Sequence, residues 1–245
     1  MSFLTQAFDA ISSFFISLFE NIKVIIPPLL EGSLTTIELF VLTLAISIPL
    51  ALPFTLGSIS KFSPLSFICK AYIWVFRGTP LMLQLFFFYY GIPIILQNIG
   101  MSDQMLNNIR LEAFPTAVIT FALNYSAYFA EIYRAGIESV DKGQHEAAKT
   151  LGLTPRQTLT GIVIPQAIRF ALPPMSNEAI TLIKDTALVY VIGVAEILKN
   201  AKQIVNREVD TTAYVFAAVF YLVFTFVLTW FARKLEKKFS KHAER

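Results

Sequence analysis

Four polar side chains, Asn177, Glu178, Lys184 and Asp185, interrupt the otherwise apolar run PPMSNEAITLIKDTALVYVIG. In the middle of a membrane-spanning helix each charge costs roughly 2.5 to 3.5 kcal/mol on insertion scales, so each needs a partner or a task. Positions seven apart on a helix nearly eclipse. Asn177 and Lys184 therefore share one edge, Glu178 and Asp185 the neighbouring edge, and Thr181 lies close to both. A stripe with both signs of charge matches the amine and carboxylate of a zwitterion. It equally suits ion pairs and hydrogen bonds that hold a helix bundle together. Gln84, Asn124, Tyr128 and Glu131 are further polar residues in apolar runs and carry the same two readings. Pro173-Pro174 opens the turn before the stripe, where backbone groups can face a cavity.

Covalent chemistry finds no constellation. The chain has no G-x-x-x-x-G-K-[ST] run to cradle nucleotide phosphates. His145-Glu146 begins like a helical zinc motif, but Lys149 stands where the second histidine belongs, and His242 is the one other histidine. No metal site and no bound cofactor are expected. No Ser or Cys nucleophile has a histidine base within the membrane. Cys69 stands alone, so no internal disulfide forms. The chain is expected not to be an enzyme, and any work driven by ATP requires a separate subunit.

The elements that carry these residues belong to a membrane protein. Of 245 residues, 55% are hydrophobic, 15% are charged and 23 are Phe; mean hydropathy is +0.61. Such apolar runs need lipid or protein to cover them. A net charge of +3 without a basic-aromatic stripe gives no sign of nucleic acid. The first basic residue is Lys23, so no cleaved signal peptide is expected. The chain reads as one all-α domain, 1–245, with about five crossings. Residues 2 to 26 read as an amphipathic helix on the outer membrane surface, within an extracytoplasmic segment 1–30, broken by Pro27-Pro28 and Gly32. The five-helix core covers 33–235. Its crossings are placed at Ser33 to Leu56, about Thr79 to Leu96, about Phe114 to Tyr133, about Ala171 to Ile192, and Thr212 to Phe231. A basic tail, 233–245, follows. With the tail inside, fourteen Lys and Arg lie on the cytoplasmic side and five outside, which satisfies the positive-inside rule. The N-terminus is then outside, and the loop 139–165 is cytoplasmic.

That loop is short and charged, and it reads as two short helices joined by a sharp turn. Gly152 ends the first. Thr154 caps the second, with Pro155 at its first position and Gln157 closing a capping box. Ala147 and Ala148 leave one face of the first helix bare for another backbone to approach, and Glu146 offers that partner a charge.

The loop also resembles a known signature. Glu146-Ala147-Ala148, three residues, Gly152, nine residues and Ile162-Val163-Ile164-Pro165 is similar to the cytoplasmic loop of permease subunits in binding-protein-dependent ABC importers, with Ile164 in place of the family's Leu. Three further runs resemble the polar amino acid subfamily, which serves histidine, arginine, glutamine and cystine uptake. They are Arg77-Gly78-Thr79-Pro80 followed by Gln84-Leu85-Phe86, Ala130 to Gly136, and Lys184-Asp185-Thr186 followed by Val191 to Val194. Leu81-Met82-Leu83-Gln84 replaces the usual Leu-Leu-Val-Gln. The resemblance covers about residues 30 to 235. It implies the type I importer permease fold in a bacterial plasma membrane. It also implies a dimer with a second copy or paralogue, and a substrate delivered by an extracytoplasmic solute-binding protein. A dimeric ABC ATPase subunit, which holds the ATP and Mg, would dock on the coupling residues Glu146, Ala147, Ala148, Leu151, Gly152, Leu153 and Pro165. The candidate path residues are Gln84, Asn124, Tyr128, Glu131, Asn177, Glu178, Thr181, Lys184 and Asp185. An ion-coupled secondary transporter using Glu178, Lys184 and Asp185 is the alternative.

Overall fold

The computed structural model describes residues 2–102, Met105 and 112–240, with side chains described from 22 to 239 within that set. Every regular element among these residues is helical. In chain order they are α1 (Ser2–Ser58), α2 (Ser63–Gly78), α3 (Leu81–Asn98) and α4 (Ala113–Glu138). Then come α5 (Lys142–Thr150), α6 (Pro155–Thr158), α7 (Ile164–Asp185), α8 (Ile197–Glu208) and α9 (Thr212–Ser240).

Among the described residues, three helices are long and apolar enough to cross a membrane: Ile22–Ser58 within α1, Leu81–Asn98 and Thr212–Phe239. α4 and α7 have the length but carry the polar residues noted above. α4 is the hub and packs on α1, α2, α3 and α7. Ala130, small and buried, lies at the seam with α1, where Thr55 donates to its carbonyl at 3.1 Å. Phe121, Tyr125 and Phe129 of α4 fill the main core with Leu39, Leu85, Leu182 and Val189. The outer face of α9, with Leu222, Phe226 and Trp230, stays exposed as a lipid-facing surface does.

Pro27-Pro28 and Gly32 do not break the N-terminal helix; α1 runs unbroken through them from Ser2 to Ser58. The side chains of residues 2–21, which carry the expected amphipathic pattern, lie outside the described set. The prolines withhold two intrahelical amides, yet packing against neighbouring elements holds the helix together through them. The Asn200 amide donates to the Pro28 carbonyl at 2.7 Å, and Ser33 donates to Leu29. Gly32 marks a close approach rather than a stop, since a Cβ there would lie 2.8 Å from the Glu196 carbonyl carbon and the Ile197 nitrogen.

The segment 195–210, polar in sequence, folds as α8 with an apolar face of Ile197, Ala201 and Ile204 on α1 and α9. Glu196 caps it. Fully buried, this carboxylate accepts from the Leu198 and Lys199 amides at 2.7 and 2.6 Å and from the Tyr221 hydroxyl at 2.7 Å. A buried charge demands such a set of donors. Even so, burial pushes the Glu196 carboxyl above its ordinary range.

Candidate functional site: a docking loop and an intramembrane cavity

The loop folds as its residue types require. Asp141 caps α5, accepting from the Gly143 amide at 2.6 Å; an Asp directly before a helical run is the signal that marks it. Gly152, at φ 72°, ends the helix while the Gly152 and Leu153 amides return to the Lys149 and Ala148 carbonyls. Thr154 and Gln157 form the reciprocal capping box. The second short helix is not separate, however. α6 passes through a π turn at Leu159–Val163 into α7, so the chain is helical without a break from Pro155 to Asp185. Pro165 follows the π turn inside this continuous helix, where its missing amide removes an intrahelical bond right beside the irregular turn.

The two alanines also part company. Ala147 is exposed with Glu146, whereas Ala148 is 1% exposed and turns inward. The outward tip is completed by Leu151, 76% exposed, beside the open Gly152. Leu153 is half-buried. An apolar side chain held this far from the bundle, at the end of a rigidly capped turn, is a surface built to be covered.

At the joint between α2 and α3, the Gly78-Thr79-Pro80 break opens a cavity of about 570 Å³ against α4 and α7. Glu178, Thr181 and Asp185 line it from α7, and Asn124, Tyr125 and Tyr128 from α4. Arg77, in the last turn of α2, lines it as well. Its guanidinium lies 5.4 Å from the Tyr128 ring centre and 3.7 Å from Glu131. Tyr125 donates to Asp185 at 2.7 Å. The lining thus offers a planar cation from α2 and two carboxylates from α7. A carboxylate and an ammonium held a few ångströms apart on one small molecule satisfy both.

The remaining sequence candidates divide. Gln84 is buried, and its amide donates to Phe76 O, Thr79 O and Thr79 Oγ1 at 2.9, 3.1 and 2.7 Å. It accepts from Asn124 at 3.0 Å, which in turn donates to Phe76 O. The two amides are a clasp that satisfies the end of α2, and only Asn124 reaches the cavity. Glu131 is held by Arg134, with the Nε contact at 3.0 Å, outside the cavity wall. Asn177 and Lys184 lie exposed on the neighbouring face of α7. Arg77 and Tyr125 join the cavity in addition to the residues expected from sequence; an arginine directly before a Gly-Thr-Pro break is the signal that points to the first.

This architecture has relatives. Residues 44–241 match the model of the binding-protein-dependent transport system inner membrane component family, and the chain belongs to that family. It is 39% identical over 218 residues to the L-cystine transport system permease protein TcyB of Bacillus subtilis, covering 88% of each chain. It is 36% identical to the glutamine transport system permease protein GlnP of Escherichia coli K12, covering 87% of this chain and 93% of the relative. Among solved structures, an amino acid ABC transporter aligns with a TM-score of 0.79 at 34% identity, over 91% of this chain and 98% of that one.

Proposed function

We propose that two copies of this chain, or one copy and a paralogue, form the translocation path of an importer for a polar amino acid. The substrate arrives from an extracytoplasmic solute-binding protein and passes the cavity of Arg77, Glu178 and Asp185. The Glu146–Leu153 tip seats in a separate ATPase subunit, which holds the ATP and Mg. The N-terminus lies outside and the basic C-terminus inside, an orientation supported by the Lys and Arg asymmetry. The observation that carries this reading is the unbroken helix from Pro155 to Asp185. It joins the docking turn to the helix that bears Glu178 and Asp185. Displacing the tip therefore displaces two cavity carboxylates, and no covalent step on this chain is needed.

The test is uptake in proteoliposomes holding the permease, its ATPase subunit and the binding protein. Uptake of a polar amino acid should need ATP hydrolysis and survive a protonophore. Uptake without the ATPase subunit, abolished by the protonophore, would replace this reading with an ion-coupled carrier.

A further inference from the structure

A second cavity, of about 350 Å³, lies between the loop-proximal ends of α7 and α9, well away from the Arg77 site. Arg169 enters it from α7; Arg233 and Lys237, one turn apart on the same face of α9, enter from the other side, and Glu236 is the one carboxylate among the described lining residues. Among the described residues, Arg169 and Arg233 take part in none of the ion pairs. The other described lining residues, Leu172, Pro173 and Phe239, are apolar.

Two features narrow the ligand. Pro173 and Pro174 bring no amide to the helix, so the bonds that would satisfy the Arg169 and Phe170 carbonyls are missing. The Arg169 carbonyl is thus a free backbone acceptor on a residue that lines the cavity beside anion-binding side chains, a combination suited to a phosphate that carries hydroxyl groups. The position along the helix supplies the second feature. One turn back on α9, Trp230 and Phe231 are 58% and 59% exposed, and the Lys234 ammonium lies 5.2 Å from the Trp230 ring centre. Exposed aromatic residues next to lysines and arginines mark the level of lipid headgroups. A soluble phosphate has no use for the apolar wall; an amphiphile does.

We propose that this cavity binds the headgroup of an anionic, glycerol-headed phospholipid. The phosphodiester sits between Arg169 and Arg233, the head hydroxyls lie toward the freed carbonyls, and the first acyl carbons run along Leu172 and Phe239. The site rests on the crossings of α7 and α9 and takes from the proposed orientation only which leaflet supplies the lipid. It joins the helix that bears Glu178 to the last crossing through a bound lipid.

Native mass spectrometry of the detergent-solubilised permease–ATPase complex tests this without any transport readout, so its failure is separable from failure of the importer reading. Phosphatidylglycerol should be retained at least tenfold better than phosphatidylcholine, and millimolar inorganic phosphate should not displace it. Arg169→Gln with Arg233→Gln should abolish that preference. Lys238→Gln, which removes one charge from the same helix outside the cavity, should leave it intact. Equal retention of the two lipids, displacement by inorganic phosphate, or equal loss in the Lys238 variant would each overturn the site. Should the double variant fail to assemble, a photoreactive phosphatidylglycerol on the unaltered complex decides. Crosslinks within 169–173 and 233–239 support the proposal, and crosslinks elsewhere refute it.

Discussion

The Tyr125 hydroxyl donates to the Asp185 carboxylate at 2.7 Å, tying the central helix α4 to the carboxylate end of α7 inside the cavity. A hydrogen bond to a charged group contributes about 1.5 to 3 kcal/mol. Tyr125→Phe leaves Asp185 short of a donor and free to turn, so the KM for uptake should rise roughly tenfold, since each 1.4 kcal/mol is a factor of ten. Basal ATP hydrolysis should stay near its original level. Unchanged KM in proteoliposomes would remove Tyr125 from the site.

The docking tip makes a separate claim. Replacing exposed Leu151 with Asp, or Ala147 with Trp, should weaken co-purification of the ATPase subunit by about tenfold or more, the loss expected when a central apolar contact worth about 1.4 kcal/mol or more disappears. Membrane insertion should be unaffected, because neither side chain packs within the bundle. Full recovery of the complex with both variants would show that the partner docks elsewhere.

Gly136 gives a steric test. A Cβ at this position would lie 2.9 Å from the Ala167 carbonyl oxygen and 3.3 Å from the Ala171 Cβ, whereas a Cβ at Gly161 would meet nothing within 4 Å. Gly136→Val should therefore force α4 and α7 apart and cut ATP-driven uptake at least tenfold, with Gly136→Ala intermediate. Gly161→Ala should be nearly silent. Equal uptake by the Gly136→Val and Gly161→Ala variants would mean that the close crossing carries no motion.

Glu196 predicts a pH dependence of stability. Burial holds its carboxyl above the ordinary range despite the donors around it. The sign follows from linkage. A raised folded pKa gives a contribution that is fully present below the unfolded carboxylate value and is lost as pH rises through the folded one. Glu196→Gln should flatten that slope in thermal melts of the complex between acidic and neutral pH. Glu196→Ala, which strands two amides and the Tyr221 hydroxyl, should cost about 3 kcal/mol. A melting profile identical to that of the unaltered complex for either variant would contradict this account.

The parts legible in the sequence were those fixed by local chemistry. The Gly152 turn, the Thr154–Gln157 box and the face shared by Glu178, Thr181 and Asp185 each depend on a few neighbouring residues. Parts decided by distant neighbours were not legible. Pro27-Pro28 looks like a break until Asn200, 172 residues away, donates to the Pro28 carbonyl. Gln84 and Asn124 read in sequence equally as interhelical bonds or as solute contacts, and only their bonds to the end of α2 bring out the first role. Ala147 and Ala148 look equivalent in sequence, and only the packing of the loop on the bundle separates them.

The contact of Gly136 with Ala167 falls part-way along the helix from Pro155 to Asp185. At ~1.5 Å per residue, about 18 Å lies between that contact and Pro155, and about 27 Å between it and Asp185. If the contact serves as a fulcrum, the cavity arm is the longer by about half, and a swing at the docking turn arrives at the carboxylates enlarged and reversed in direction. A small stroke applied by a neighbour is then geared up where the solute sits.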